Sequence, residues 1–102
     1  MPHMPADWKS IDDLEDHFRR HARAVGARTI EEYADLALLV IREGIFFRYR
    51  LGSHIRFGRY HVRRRLFVAL QDDGETILTL DRRSENYVRT LRHSTYSRER
   101  GR

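Results

Sequence analysis

Two histidines four residues apart, in the stretch "HFRRH" from His17 to His21, are the residues of this 102-residue chain best suited to do chemistry. Imidazole exchanges a proton near neutral pH without help, so a pair of them can supply a base and an acid to one reaction. If the stretch is helical, the i, i+4 spacing puts both rings on one side. Counting about 100° per residue from the apolar stripe of Leu14, Phe18 and Val25, His21 falls on the stripe's edge and His17 farther round. Both can then face a cleft beside the core. The spacing also suits a zinc pair, with His54 or His61 as a third ligand. However, "HFRRH" lacks the glutamate of HExxH, and the chain has no cysteine to add a thiolate. It equally suits plain structure, with one histidine packed at the core margin and the other solvated.

The second chemical signal is arginine. Residues 1–41 hold 5 basic and 8 acidic side chains, whereas residues 42–102 hold 15 and 7. Seven arginines (Arg48, Arg50, Arg56, Arg59, Arg63, Arg64 and Arg65) fall in one stretch without a carboxylate. A GC-rich genome enriches arginine everywhere but does not segregate charge along a chain. Guanidinium forks match phosphate, so a basic second half reads as a nucleic-acid surface.

These groups need elements to hold them. Ser10 reads as an N-cap before acidic Asp12, Asp13, Glu15 and Asp16, and Gly26 as a stop, giving a helix over 11–25. Thr29 and Glu32 have the spacing of a capping box, opening a second helix that runs to about Arg42. From Ile45 the period shortens, and "IFFRYRL", "HIRFGRYH", "RRLFVALQ", "ETILTLDR" and "NYVRTLR" read as strands. Asp72, Asp73 and Gly74 close a hairpin. The expected fold is α+β, two N-terminal helices packed on a small antiparallel sheet of four to five strands. One domain over 10–96 is expected, with an N-terminal arm (1–9) and a disordered tail (97–102).

Alternation would point Leu66, Val68, Leu70, Leu78 and Leu80 to the helices. Arg65, Phe67, Ile77, Thr79 and Asp81 would lie on the opposite face, where a ring, a guanidinium and a hydroxyl together suit RNA. Long arginine stems covering a bare sheet face would give the same pattern. No apolar run approaches the roughly 18 residues of a membrane span, and "MPHMPADWKS" lacks the apolar core of a secretory signal.

"HFRRHARAVGARTIEEYADLA", His17 to Ala37, resembles the opening of a family of bacterial polymorphic and contact-dependent toxin nuclease domains. These are similar to the barnase, EndoU, colicin E5/D and RelE group. The shared pattern is a first helix with HFxxH, a GA-x-(S/T) link and a second helix beginning x-EEY-x-x-x-A. "DDGE", "TILTL" and "ENYVRTL" match the later hairpin turn, the threonine-bearing strand and the final aromatic segment. The resemblance covers most of 14–91. "TLDRR" departs from it after the threonine, as does the arginine-rich strand region.

The resemblance implies a metal-independent endoribonuclease without cofactors, often directed at tRNA. His17, His21 and Thr79 match the family's site positions. An arginine from the preceding strands, Arg65 with Arg63 and Arg48 as rivals, would complete the site. RNA would be held by Arg48, Arg50, Arg56, Arg59, Arg63, Arg64 and Phe67. A toxin of this kind acts in the cytoplasm of a target or host cell, and its producer needs an acidic immunity protein or antitoxin. The alternatives are a non-catalytic arginine-rich RNA- or DNA-binding module and a phage or accessory protein-interaction domain. If Thr79 turns away from the helices, histidines and threonine can meet only at a sheet edge.

Overall fold

The computed structural model describes residues 8–100, with side chains through residue 92. Residues 1–7 of the expected arm and 101–102 of the expected tail lie outside the described residues.

Helix α1 spans Ile11–Val25 and α2 spans Ile30–Glu43. Ser10 Oγ accepts the Asp13 N–H at 3.0 Å, which fixes the start of α1. Gly26 ends that helix at φ 84°, a left-handed value costly for any residue with a Cβ. Thr29 Oγ1 accepts the Glu32 N–H, and Glu32 reaches back one residue farther than a capping box requires, to the Arg28 N–H at 2.7 Å.

Strands β1 (Ile45–Leu51), β2 (His54–His61), β3 (Leu66–Leu70) and β4 (Ile77–Arg82) form one antiparallel sheet in the order β1-β2-β3-β4. The chain is therefore α+β, as its pattern implies. The expected fifth strand is instead a helix, α3 (Glu85–Arg100), which also takes in residues 97–100 of the expected tail. Ser84 starts it by accepting the Tyr87 N–H at 3.1 Å. Val88 and Leu91, three residues apart, then turn the same way, onto the sheet.

The sheet is covered on both faces, which explains why all five residues of β3 are buried. Leu66, Val68 and Leu70 pack with Tyr33, Ala34, Ala37 and Val40 beneath α1 and α2. Phe47, Tyr49, Tyr60, Phe67 and Ala69 pack beneath α3. At Gly58 a Cβ would lie 2.7 Å from the Phe67 ring and 2.8 Å from the Phe47 ring, so only glycine fits between them. Phe67 is thus not an open stacking ring. It is 4% exposed, because α3 occupies the face that a fifth strand would have left bare.

The pattern within β4 also differs from strict alternation. Ala69 pairs with Thr79 but Leu70 pairs with Ile77, a bulge that leaves Leu78 extra. Ile77 and Leu80 therefore both enter the core beneath α1 and α2, while Leu78 packs on the α3 side. Trp8, placed by its position in the expected arm, is buried at 3% and makes a parallel bridge to Ile77. It is part of the core.

Candidate active site

Helix α1 lies along β4, the sheet's outer strand, and His17 and His21 face that edge. Their rings stack with centroids 5.7 Å apart and planes within 15°. The two sit in opposite electrostatic settings. The Arg20 guanidinium lies 3.4 and 3.5 Å from the two ring nitrogens of His17, which places it over the ring face. Arg20 is itself held by Asp16 at 2.7 Å. Burial first, then the charges of Arg20 and His21, push the His17 pKa below its usual value. His21 instead presents Nδ1 to the Asp81 carboxylate at 3.5 Å. Asp81 is gripped from its other oxygen by Arg83 at 3.1 Å, and the Arg83 guanidinium rests 4.5 Å from the centre of the Tyr87 ring. The chain of contacts from His21 to Tyr87 runs through Asp81 and Arg83, tying α1 to α3 around the end of β4.

Behind the histidines is an aromatic wall. Trp8 is 6.3 Å from His17 and 5.7 Å from Tyr33, ring centre to ring centre. The Tyr33 hydroxyl donates to the Leu80 carbonyl at 2.6 Å, and burial pushes its pKa well above the usual phenol range. Thr79 lies close enough to this phenol to act on it. Its Oγ1, like Trp8 Nε1, is buried without a hydrogen-bond partner among the described residues. Thr79 thus shares the histidines' edge, but its hydroxyl is closed to solvent in this conformation.

The expected arginine, Arg65, lies at the margin of this cluster, its carbonyl accepting the Arg83 N–H at 3.0 Å. Arg65 sits on the β2–β3 turn with φ 60°, a left-handed value unusual for arginine, and its charge acts on the Tyr60 phenol on the α3 side. Arg63 and Arg64 are exposed on the same turn. On β1 and β2, Arg48, Arg50 and Arg59 share the face away from α3, whereas Arg56 stands opposite Tyr49 on the α3 side. The guanidinium at the histidines is Arg20, and Arg83 reaches His21 only through Asp81. Asp81 had a sequence signal, two residues after Thr79 on the same strand. Arg20 lay inside the motif itself, while Arg83 and Trp8 had no signal before the fold was known.

His61 forms a separate cluster. Its Nε2 meets Glu43 at 2.9 Å and its Nδ1 accepts the Arg64 N–H at 3.3 Å, beside a cleft of about 560 Å³. Both ring nitrogens are used, so this histidine pins the turn and has no free atom for proton transfer. His54, the other zinc candidate, begins β2. Among the described residues no three histidine, aspartate or glutamate side chains are grouped to hold a metal ion. No described helix is long and apolar enough to cross a membrane. Comparison with protein-family models, curated proteins and solved structures finds no match to this chain.

Proposed function

We propose that the chain is a metal-independent endoribonuclease toxin domain, acting on RNA and on tRNA first. The observation that carries this reading is the stacked histidine pair with opposite partners, Arg20 over His17 and Asp81 against His21. His17, kept neutral by its lowered pKa, takes the proton of a ribose 2′-hydroxyl. The 2′-oxygen bonds to phosphorus and the bond to the 5′-oxygen breaks. His21 gives its proton to that leaving oxygen, with Asp81 orienting the ring and compensating its charge. Arg20 is the guanidinium nearest the pair and offsets the charge that builds on the phosphorane oxygens. Products are a 2′,3′-cyclic phosphate and a 5′-hydroxyl. The arginines of β1, β2 and the β2–β3 turn hold the rest of the polyanion. A producing cell then needs an acidic immunity protein or antitoxin.

The test is incubation of the full chain with total tRNA in EDTA, with product ends identified by mass spectrometry. Cleavage to cyclic phosphate ends, and resistance of DNA and of a substrate with one 2′-deoxy nucleotide at the cut, is the expected result. Bound but intact RNA would replace the nuclease by an arginine-rich binding module. Cleavage that needs Mg²⁺ or Zn²⁺, or that cuts DNA, would overturn the mechanism.

A further inference from the structure

The strand β1 is an outer strand of a different kind from β4. It pairs with β2 through seven consecutive residue pairs without a bulge, α3 packs on one of its faces, and among the described residues no strand lies on its other side. Ile45, Phe46 and Leu51 on it are 49, 45 and 53% exposed. Between β1–β2 and α3 runs a cleft of about 440 Å³ whose lining includes Ile45, Val62, Val88, Arg89 and Arg92. A regular edge of this length offers a row of backbone donors and acceptors to another strand. We propose that the β1 edge is the docking site for an extended segment of a protein partner with alternating acidic and apolar side chains, added as a fifth strand.

Charge selects the partner. Arg48 and Arg50 stand two residues apart on one face, so two alternate side chains of an added strand meet guanidiniums, and the next one meets the Phe46 ring. On the other face the added side chains meet Ile45 and Leu51 and the mouth of the cleft, whose lining mixes Val62 and Val88 with Arg89, Arg92 and Glu85. A second copy of this chain fits badly. In an antiparallel self-pairing centred on Arg48 or on Tyr49, arginine stands opposite arginine, which is unfavourable, and a pairing centred on Phe47 avoids this only by shortening the ladder to residues 45–49. RNA can touch Arg48 and Arg50 with its phosphates but cannot occupy the strand edge itself. The Phe46 ring already stacks on Phe57 at 5.2 Å and carries the Arg59 guanidinium at 4.5 Å, and a nucleotide backbone cannot continue the sheet's hydrogen-bond ladder. The docking site is three strands from His17 and His21, so it stands whether or not the chain cuts RNA.

The probe is a nine-residue peptide of alternating glutamate and valine with blocked ends, added to the full ¹⁵N-labelled chain. Amide exchange of β1 should slow at alternate residues. A peptide with the same side chains but N-methylated at alternate positions should bind at least about tenfold more weakly, since it cannot make the ladder. The double change Arg48→Glu with Arg50→Glu should weaken the parent peptide at least as much. Equal binding by the N-methylated peptide would reduce the site to a charged patch and overturn the proposal. So would unchanged β1 exchange, protection of β1 by self-association without peptide, or protection by poly(U) and not by the peptide.

Discussion

The two edges of this four-stranded sheet have been finished in opposite ways. At β4 the edge is sealed. Trp8 bridges to Ile77, α1 lies along the strand, and a bulge breaks its alternation. There the titratable groups are half-buried and in contact, with His21 and Asp81 only 23 and 15% exposed. At β1 the ladder is regular, Phe47 and Tyr49 are buried beneath α3 while Ile45, Phe46 and Leu51 are exposed, and the charges are nearly all arginine. Proton transfer needs groups fixed in a partly dry site, where neighbours shift pKa values and orientation is set. Recognition of a large charged partner needs reach and exposure. If the two proposals hold, the fold places the two tasks on opposite edges of the sheet.

The comparison breaks most visibly in stability. Trp8 is a buried ring at the sealed edge, and Trp8→Ala should cost about 3–5 kcal/mol through lost burial and the cavity left behind. Leu51 is more than half exposed at the open edge, and Leu51→Ala should stay within about 0.5 kcal/mol. Urea titration of the two variants measures both. A Leu51→Ala loss comparable to Trp8→Ala would mean that the β1 edge is already covered.

Activity comes next. His17→Ala and His21→Ala should each reduce RNA cleavage at least about 100-fold while leaving the melting transition in place. Asp81→Asn should cost about tenfold, because the carboxylate acts through His21. Single-turnover cleavage of tRNA in EDTA reads all three. If His21→Ala lowers the melting temperature and spares the rate, the pair is a packing feature.

How much of this edge was legible in the sequence depends on how local each signal is. Ser10, Gly26, Thr29 and Asp73 act within three or four residues, and all four sit in the cap or turn that their types imply. The histidines share one side of α1 for the same reason. The segment "NYVRTLR" reads as a strand because β-branched and aromatic residues favour one. Ser84 with Glu85 in the first turn was the competing local signal, and packing of Val88 and Leu91 on the sheet decides for the helix. That single change buries Phe67. The bulge at Leu78 and the bridge from Trp8 depend on pairings between distant segments, which no spacing rule reports. Arg83, which holds Asp81 against His21, follows from them.

The open edge should show its character in salt dependence. Each phosphate contact by arginine on single-stranded RNA contributes about −0.7 to the log–log slope of affinity against salt. Arg48→Ala and Arg50→Ala should therefore each flatten the slope by about that amount if both touch phosphate. His21→Ala should leave the slope as it is. Fluorescence anisotropy with a cleavage-resistant 2′-deoxy-substituted oligonucleotide separates the two edges. Unchanged slopes in both arginine variants would assign phosphate binding to other arginines and leave β1 to protein partners alone.

The smallest effect concerns the pH at which the base begins to work. His17 lies below the usual histidine value of 6.5, first through burial, then through Arg20 and His21, with Asp16 and Asp13 opposing. The acid limb of kcat/KM reports the free enzyme's base, so in the wild type it should fall below pH 6.5. Arg20→Ala removes one depressing charge and frees Asp16, whose own pKa Arg20 holds down by a hydrogen bond, to favour the imidazolium. Both changes act in the same direction and move the limb upward, by well under the full depression because burial remains. The stability sign follows from the same shift. A histidine whose folded pKa is lowered gives up stability as pH falls below its unfolded value, because the unfolded chain binds the proton first. Arg20→Ala should therefore also shrink the loss of stability below about pH 6.5. A limb that stays put, with stability that still falls as in the wild type, would mean that the guanidinium over His17 serves the phosphate alone.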